Sequence, residues 1–165
     1  MNTLSTPLVS SRSLIHRISV FAYGVAAYAI GVTALLAVIL TMLGVLPFTG
    51  GPLGALGFGA GLILNVLLLV IFALQHSVMA RPSFKERWTR VIPAAAERST
   101  YVLATGLVLA PMLALWQPMP NVVWSIEAPI LRGCVLGLAL AGWAYLFAAT
   151  FAINHFELFG LQQVY

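Results

Sequence analysis

Gln75, His76, Glu97, Arg98, Asn154 and His155 are the side chains best equipped for chemistry, and all six lie at the margins of long apolar runs. Polar groups next to lipid are costly, so those retained there tend to mark a site. An imidazole changes charge near neutral pH, which lets His76 or His155 take or give a proton. The Arg98 guanidinium presents a planar fork that fits a carboxylate. Glu97 can orient an imidazole or a guanidinium, and the amides of Gln75 and Asn154 both donate and accept hydrogen bonds. Such a set suits proton transfer and the gripping of a charged small molecule. Each residue also has a plainer structural reading. Gln75 and His76 can close one helix within reach of water, and Asn154 and His155 can terminate another. Glu97 and Arg98 suit a first-turn acid and a cation that reaches for water.

Whether the six can meet depends on the elements that carry them. Between Ile18 and Ala80 there is no Lys, Arg, Asp or Glu. The exposed faces of a soluble protein cannot run that far without charge. A bilayer core is about 30 Å thick and takes about 20 apolar residues per helix, so this stretch holds two passes and a turn. Hydrophobic residues make up 61% of the 165 and charged residues 7%, against about 25% charged in ordinary globular domains. The expectation is an all-α polytopic transmembrane helix bundle: four spanning helices, near 18–46, 56–80, 99–116 and 129–154, plus a C-terminal interfacial segment at 155–165. Residues 1–17 form a polar N-terminal segment and 18–165 the transmembrane domain. The first apolar run is too long for the h-region of a cleavable signal peptide, so the first helix is expected to stay as an anchor. The breaks fall at Pro47-Phe48-Thr49-Gly50-Gly51-Pro52, at Arg81-Pro82 and at Gln117-Pro118-Met119-Pro120, none of which continues a helix. Pro129 suits the first turn of the fourth.

Orientation follows from the loops, because cytoplasmic loops hold the excess of Lys and Arg. Arg12 and Arg17 precede the first helix, and Arg81, Lys85, Arg87, Arg90 and Arg98 lie between the second and third. The opposite loops, 47–55 and 117–128, hold none, and Arg132 sits just inside the fourth helix. Both termini and the 81–98 loop are therefore expected in the cytoplasm. The ends of the second and fourth helices and the start of the third then share one level, where the six residues can form a single polar layer.

Eight basic residues face four acidic ones, yet the cations sit in short juxtamembrane segments and indicate orientation, not nucleic acid. Cys134 is the only cysteine, which excludes a disulfide framework and a cysteine-based metal site; it is expected to be inert packing, and no metal site is expected. Gly133 and Gly137 form a GxxxG spacing that permits close helix contact in lipid, and Asn65 suits an interhelical hydrogen bond. Gly57, Gly59 and Gly61 are also expected to serve packing. Trp88, Trp116, Trp124 and Trp143 are expected mostly as interface anchors.

Three motifs carry a resemblance: Phe72-Ala73-Leu74-Gln75-His76-Ser77-Val78-Met79-Ala80-Arg81-Pro82, Glu97-Arg98-Ser99-Thr100-Tyr101, and Ile153-Asn154-His155-Phe156-Glu157-Leu158-Phe159-Gly160-Leu161. Together they resemble the bacterial methanethiol S-methyltransferases, which group with the NnrU and nurim-like membrane proteins and are relatives of the isoprenylcysteine carboxyl methyltransferases. The first two motifs mark the wider superfamily, and the third narrows it to the thiol methyltransferase branch. The resemblance runs from about Gly57 onward. Family members continue through an Arg-His-Pro motif and further cofactor-binding helices. No Arg-His-Pro occurs in these 165 residues, so that C-terminal half is expected to be missing from the chain.

The resemblance implies an integral protein of the bacterial inner membrane that moves a methyl group from S-adenosylmethionine to methanethiol, giving dimethyl sulfide. Its partners are then a small thiol and the bilayer. Under that reading His76 is the base that takes the thiol proton, because small thiols ionise above neutrality. Arg98 would stabilise the thiolate or hold a cofactor carboxylate, and Glu97 would orient His76 or Arg98. Gln75, Asn154 and His155 would bind the polar parts of cofactor or substrate. Two other readings stand beside it: a non-catalytic NnrU- or nurim-like scaffold or assembly protein, and a small b-type haem protein with His76 and His155 as axial ligands.

Overall fold

The computed structural model describes residues 11–48, 50–119, 121–122 and 124–164, with the side chains of 11–13 and 163 excepted. Most of the polar N-terminal segment, the Arg12 side chain and the Pro120 break thus lie outside the described residues. Four helices are long and apolar enough to cross a membrane, and no strand occurs among the described residues. In chain order the helices are α1 (Ser11–Met42), α2 (Phe58–Met79), α3 (Pro82–Trp88), α4 (Glu97–Leu115), α5 (Pro129–Ile153), α6 (His155–Leu158) and α7 (Leu161–Val164). α2, α4 and α5 fall within a few residues of the expected spans.

α1 differs at both ends. It is already helical at Ser11, the first described residue, and the 32 residues to Met42 reach about 48 Å, well beyond a bilayer core. It stops four residues before the expected boundary. Gly44, at φ 74°, takes the left-handed conformation that ends it. The Val45 N–H donates to the Leu40 carbonyl at 2.8 Å and the Gly44 N–H to the Thr41 carbonyl at 3.0 Å. These are the paired bonds of a Schellman terminus, so Gly44 ends the helix before Pro47 is reached.

α4 is the centre of the bundle, with α1 along one side and α2 along another. The α1–α4 contact is close because Gly31 and Gly106 carry no Cβ: one built on Gly106 would lie 3.0 Å from Ile30 Cγ2 and 3.3 Å from Gly31 Cα. Small residues do bring helices together here, but not at the expected pair. Positions equivalent to a Cβ on Gly133, Gly137, Gly57 and Gly59 meet nothing within 4 Å. α5 buries none of its residues and joins the rest chiefly through α6. Cys134 is accordingly exposed, and Trp143 lies near the middle of α5, not at an interface end.

The α2–α4 pair is pinned at the end opposite the basic loop. Asn65 donates through Nδ2 to the Gln117 carbonyl at 2.9 Å and accepts the Gln117 N–H at 2.8 Å. The interhelical bond expected of Asn65 is thus made twice, to backbone just beyond α4. Gln117 in turn accepts the Leu56 N–H at 2.9 Å and donates to the Leu115 carbonyl at 3.2 Å. Both side chains are buried, and the network satisfies them.

At the basic end the chain after α5 folds back. Asn154, at φ 108°, is the one non-glycine described residue with positive φ. Asparagine tolerates this conformation better than most residues, and it turns the chain sharply into α6. Gly160, at φ 83°, then rests on Ser99, which is fully buried, and α7 sets Val164 against Gly24 of α1. The expected interfacial segment is therefore a packed helical hairpin, with His155, Gly160 and Val164 buried.

Candidate functional site

The hairpin and the first turn of α4 enclose a cleft of about 360 Å³. Its polar wall is Lys85 from α3, Glu97, Arg98 and Tyr101 from α4, and Asn154 and Glu157 from the α5–α6 junction; Ile153 and Leu158 supply the apolar wall. Tyr101 falls one helical turn past both Glu97 (i+4) and Arg98 (i+3), so it lies beside each of them on the cleft side of α4. Pro82 starts α3, which brings Lys85 back over α4 one turn later. Asn154 caps α6 by accepting the Glu157 N–H at 3.3 Å, and its Nδ2 donates to Gln162 at 2.6 Å. One strained residue thereby sets both the turn and the amide that faces the cleft.

The charges alternate. Lys85 Nζ lies 3.7 Å from Glu97, and Arg98 lies 3.3 Å from the Glu157 carboxylate while donating to the Glu157 carbonyl at 2.8 Å. Two cations and two carboxylates leave the cleft with no net formal charge. That balance disfavours a polyanion and favours a group with both signs, such as an α-aminocarboxylate. The ion pairs are partly exposed and contribute about 1 kcal/mol or less each to stability.

His76 stands beside the cleft, not in its wall. Its ring stacks on Phe72 with centroids 5.4 Å apart. The Tyr101 hydroxyl lies 2.8 Å from Nδ1 and 3.0 Å from Nε2. Tyr101 thus joins His76 to the cleft. Gln75 faces one turn deeper, donating to Thr105 Oγ1 at 3.4 Å and to Met79 Sδ at 3.2 Å.

His155 is turned away. It is 5% exposed and sandwiched by Phe151, at 4.3 Å and nearly parallel, and Phe159, at 4.7 Å. Thr150 spends its hydroxyl proton on the Phe147 carbonyl at 2.7 Å, so it can only accept from His155 Nδ1 at 2.8 Å. Nδ1 therefore carries the proton, and in the neutral ring Nε2 receives the Tyr28 hydroxyl at 2.9 Å. Both nitrogens are committed to fastening the hairpin to α1 and α5. The two imidazoles face different partners, which leaves the axial-ligand reading without a shared site between them.

Of the six expected residues, Glu97, Arg98 and Asn154 line the cleft together, and His76 reaches it through Tyr101. Gln75 and His155 are directed elsewhere. Glu97 pairs with Lys85 and not with His76. Lys85, Tyr101 and Glu157 complete the site and were not among the expected residues. The signals for two of them were present: Tyr101 lies one helical turn past Glu97, and Glu157 lies three residues past a capping asparagine.

Four helices long and apolar enough to span a bilayer, with a charged cleft at one end of the fold, define a polytopic membrane protein. The relatives narrow the class. The chain is 44% identical over 153 residues to methanethiol S-methyltransferase 1 of Bradyrhizobium diazoefficiens, covering 92% of this chain and 54% of that protein. It is 46% identical over 121 residues to the methanethiol S-methyltransferase of Mycobacterium tuberculosis, covering 73% and 50%. Nurim of Pan troglodytes matches at 34% over 142 residues, 75% of this chain and 53% of that protein. No family model and no solved structure matches. The chain is similar to the methanethiol S-methyltransferases and, at lower identity, to nurim. It spans about half the length of the curated relatives it matches.

Proposed function

We propose that this chain serves an integral membrane methyltransferase that moves a methyl group from S-adenosylmethionine to methanethiol, giving dimethyl sulfide. The observation that carries the proposal is the cleft: a charge-balanced wall lying against a histidine–tyrosine pair, in a chain whose relatives are named for that activity. Its donor set fits the methionine end of the cofactor. Arg98 and Lys85 would hold the carboxylate, helped by the positive N-terminal end of α4. Glu97 and Glu157, with Asn154, would hold the ammonium group. When bound, S-adenosylmethionine supplies an electrophilic methyl group on a sulfonium.

The chain's own residues hold the reactants and manage one proton. A small thiol carries its proton at neutral pH and needs a base. His76 takes that proton, and the apolar walls from Ile153 and Leu158 keep the thiol against the cleft. Holding both reactants in line is worth several kcal/mol of barrier. We place the basic end in the cytoplasm of a bacterial inner membrane, with both termini on that side, because seven of the eight Lys and Arg lie there. The cofactor then arrives from water while the apolar thiol enters from lipid.

The test is dimethyl sulfide production by membranes carrying the chain, measured by gas chromatography. His76→Ala is expected to lower turnover by about tenfold or more while insertion is unchanged. Wild-type turnover in that variant removes His76 from the mechanism. No dimethyl sulfide from the wild-type chain, together with no S-adenosylmethionine binding, would favour a nurim-like scaffold in which the ion pairs of the cleft only hold helices together.

A further inference from the structure

His76 is separated from the cleft by a single side chain, Tyr101. Tyr101 lines the cleft beside Arg98 and Glu97, and its hydroxyl lies 2.8 and 3.0 Å from the two His76 nitrogens. The His76 ring is fixed from behind by Phe72, and the ring centroids of His76 and Tyr101 are 5.3 Å apart. Tyr101 is held in turn by its helix: the Thr105 hydroxyl donates to its carbonyl at 3.0 Å. A phenol in this position has one proton to give and a lone pair free to receive another.

We propose that Tyr101 is the proton relay between the thiol substrate and His76, an inference that rests on the thiol methyltransferase reading above. The thiol gives its proton to the Tyr101 oxygen while the phenol proton passes to a His76 nitrogen. The S–H bond breaks, an N–H bond forms, and the phenol ends unchanged. The electron pair left on the thiol sulfur forms the new carbon–sulfur bond with the transferred methyl. The pair of the broken donor bond stays on the donor sulfur, which becomes a neutral thioether. Tyr101 therefore touches the reacting atom, and His76 stores the proton without lining the cleft. This division explains why the imidazole lies beside the wall and not in it.

The experiment uses the whole chain in lipid nanodiscs, labelled with ¹⁵N-histidine, with His76 assigned by loss of its signal in His76→Gln. Tyr101→Phe keeps the ring and removes the hydroxyl. The expected result is a changed ¹⁵N pattern for His76 alone, with His16 and His155 unmoved, because only His76 loses a partner. For dimethyl sulfide formation, kcat is expected to fall by about tenfold or more. The KM for S-adenosylmethionine should stay within about twofold, as for a group that acts only on the proton. Tyr101→Phe combined with His76→Gln should lose no more than either alone, since the two form one path. An unchanged His76 spectrum in Tyr101→Phe overturns the contact itself. A changed spectrum with wild-type kcat overturns the relay and leaves the methyltransferase reading standing. A wild-type chain that makes no dimethyl sulfide overturns both, whatever the spectrum shows.

Discussion

Asn65→Leu should destabilise the bundle without touching the cleft. Leucine closely matches asparagine in size but can make neither of the two bonds to Gln117, at 2.9 and 2.8 Å. Those bonds satisfy a backbone N–H and a backbone carbonyl of a residue that is 1% exposed, and Asn65 itself is 4% exposed. A buried backbone group left without a partner costs about 1–3 kcal/mol. Side-chain bonds between membrane helices average only about 0.6 kcal/mol, because partners can be exchanged. Here the orphaned groups belong to a fixed chain reversal, so the higher range applies and the expected loss is about 2–4 kcal/mol. Reversible unfolding by SDS titration in mixed micelles, followed by tryptophan fluorescence, measures it; Trp116 adjoins the broken pair. His76 is eleven residues further along α2, about 16 Å away, so turnover per folded molecule should hold. A loss below about 0.5 kcal/mol would refute the reasoning, since it would mean that Gln117 finds other partners at no cost.

Two further substitutions probe the hairpin. Gly160→Ala places a Cβ 2.6 Å from the Ser99 backbone nitrogen at a φ of 83°, which costs about 2 kcal/mol or more; faster chymotryptic cleavage at Phe156 and Phe159 is the expected sign. Tyr28→Phe removes the partner of His155 Nε2 and should lower stability by about 1 kcal/mol, read from the same SDS titration, with dimethyl sulfide formation retained. Abolished turnover in a folded Tyr28→Phe protein would place His155 in the chemistry after all.

The spans were legible because lipid imposes one rule, a long uncharged run: α2 obeys it throughout, and α4 and α5 carry charge only near their N-terminal ends. The end of α1 was not. Pro47 draws attention as a helix breaker, yet Gly44 had already ended the helix, and a glycine within an apolar run gives no compositional sign of that. Packing was read from spacing alone, which selected Gly133 and Gly137. The close contact falls at Gly31 and Gly106, which lie on different helices, each in a looser small-residue spacing with an alanine (Ala27 and Gly31, Gly106 and Ala110) that a search for GxxxG passes over. For the site, level was predictable and direction was not. Gln75 and His76 are neighbours, so on a helix they must point about 100° apart, and only His76 faces Tyr101. Asn154 and His155 separate for another reason: the positive φ at Asn154 turns one to the cleft and sends the other into the bundle. Lys85 was lost because the charged loop was read for its orientation, when α3 folds it back over Glu97.

Binding of tritiated S-adenosylmethionine to the purified chain in nanodiscs, by equilibrium dialysis, tests most directly whether the cleft is a cofactor site. Wild-type protein should bind saturably, and Arg98→Gln should weaken that binding by about tenfold or more, the worth of one charge-assisted bond to a carboxylate. Equal binding by both proteins, or none by the wild type, would contradict the account.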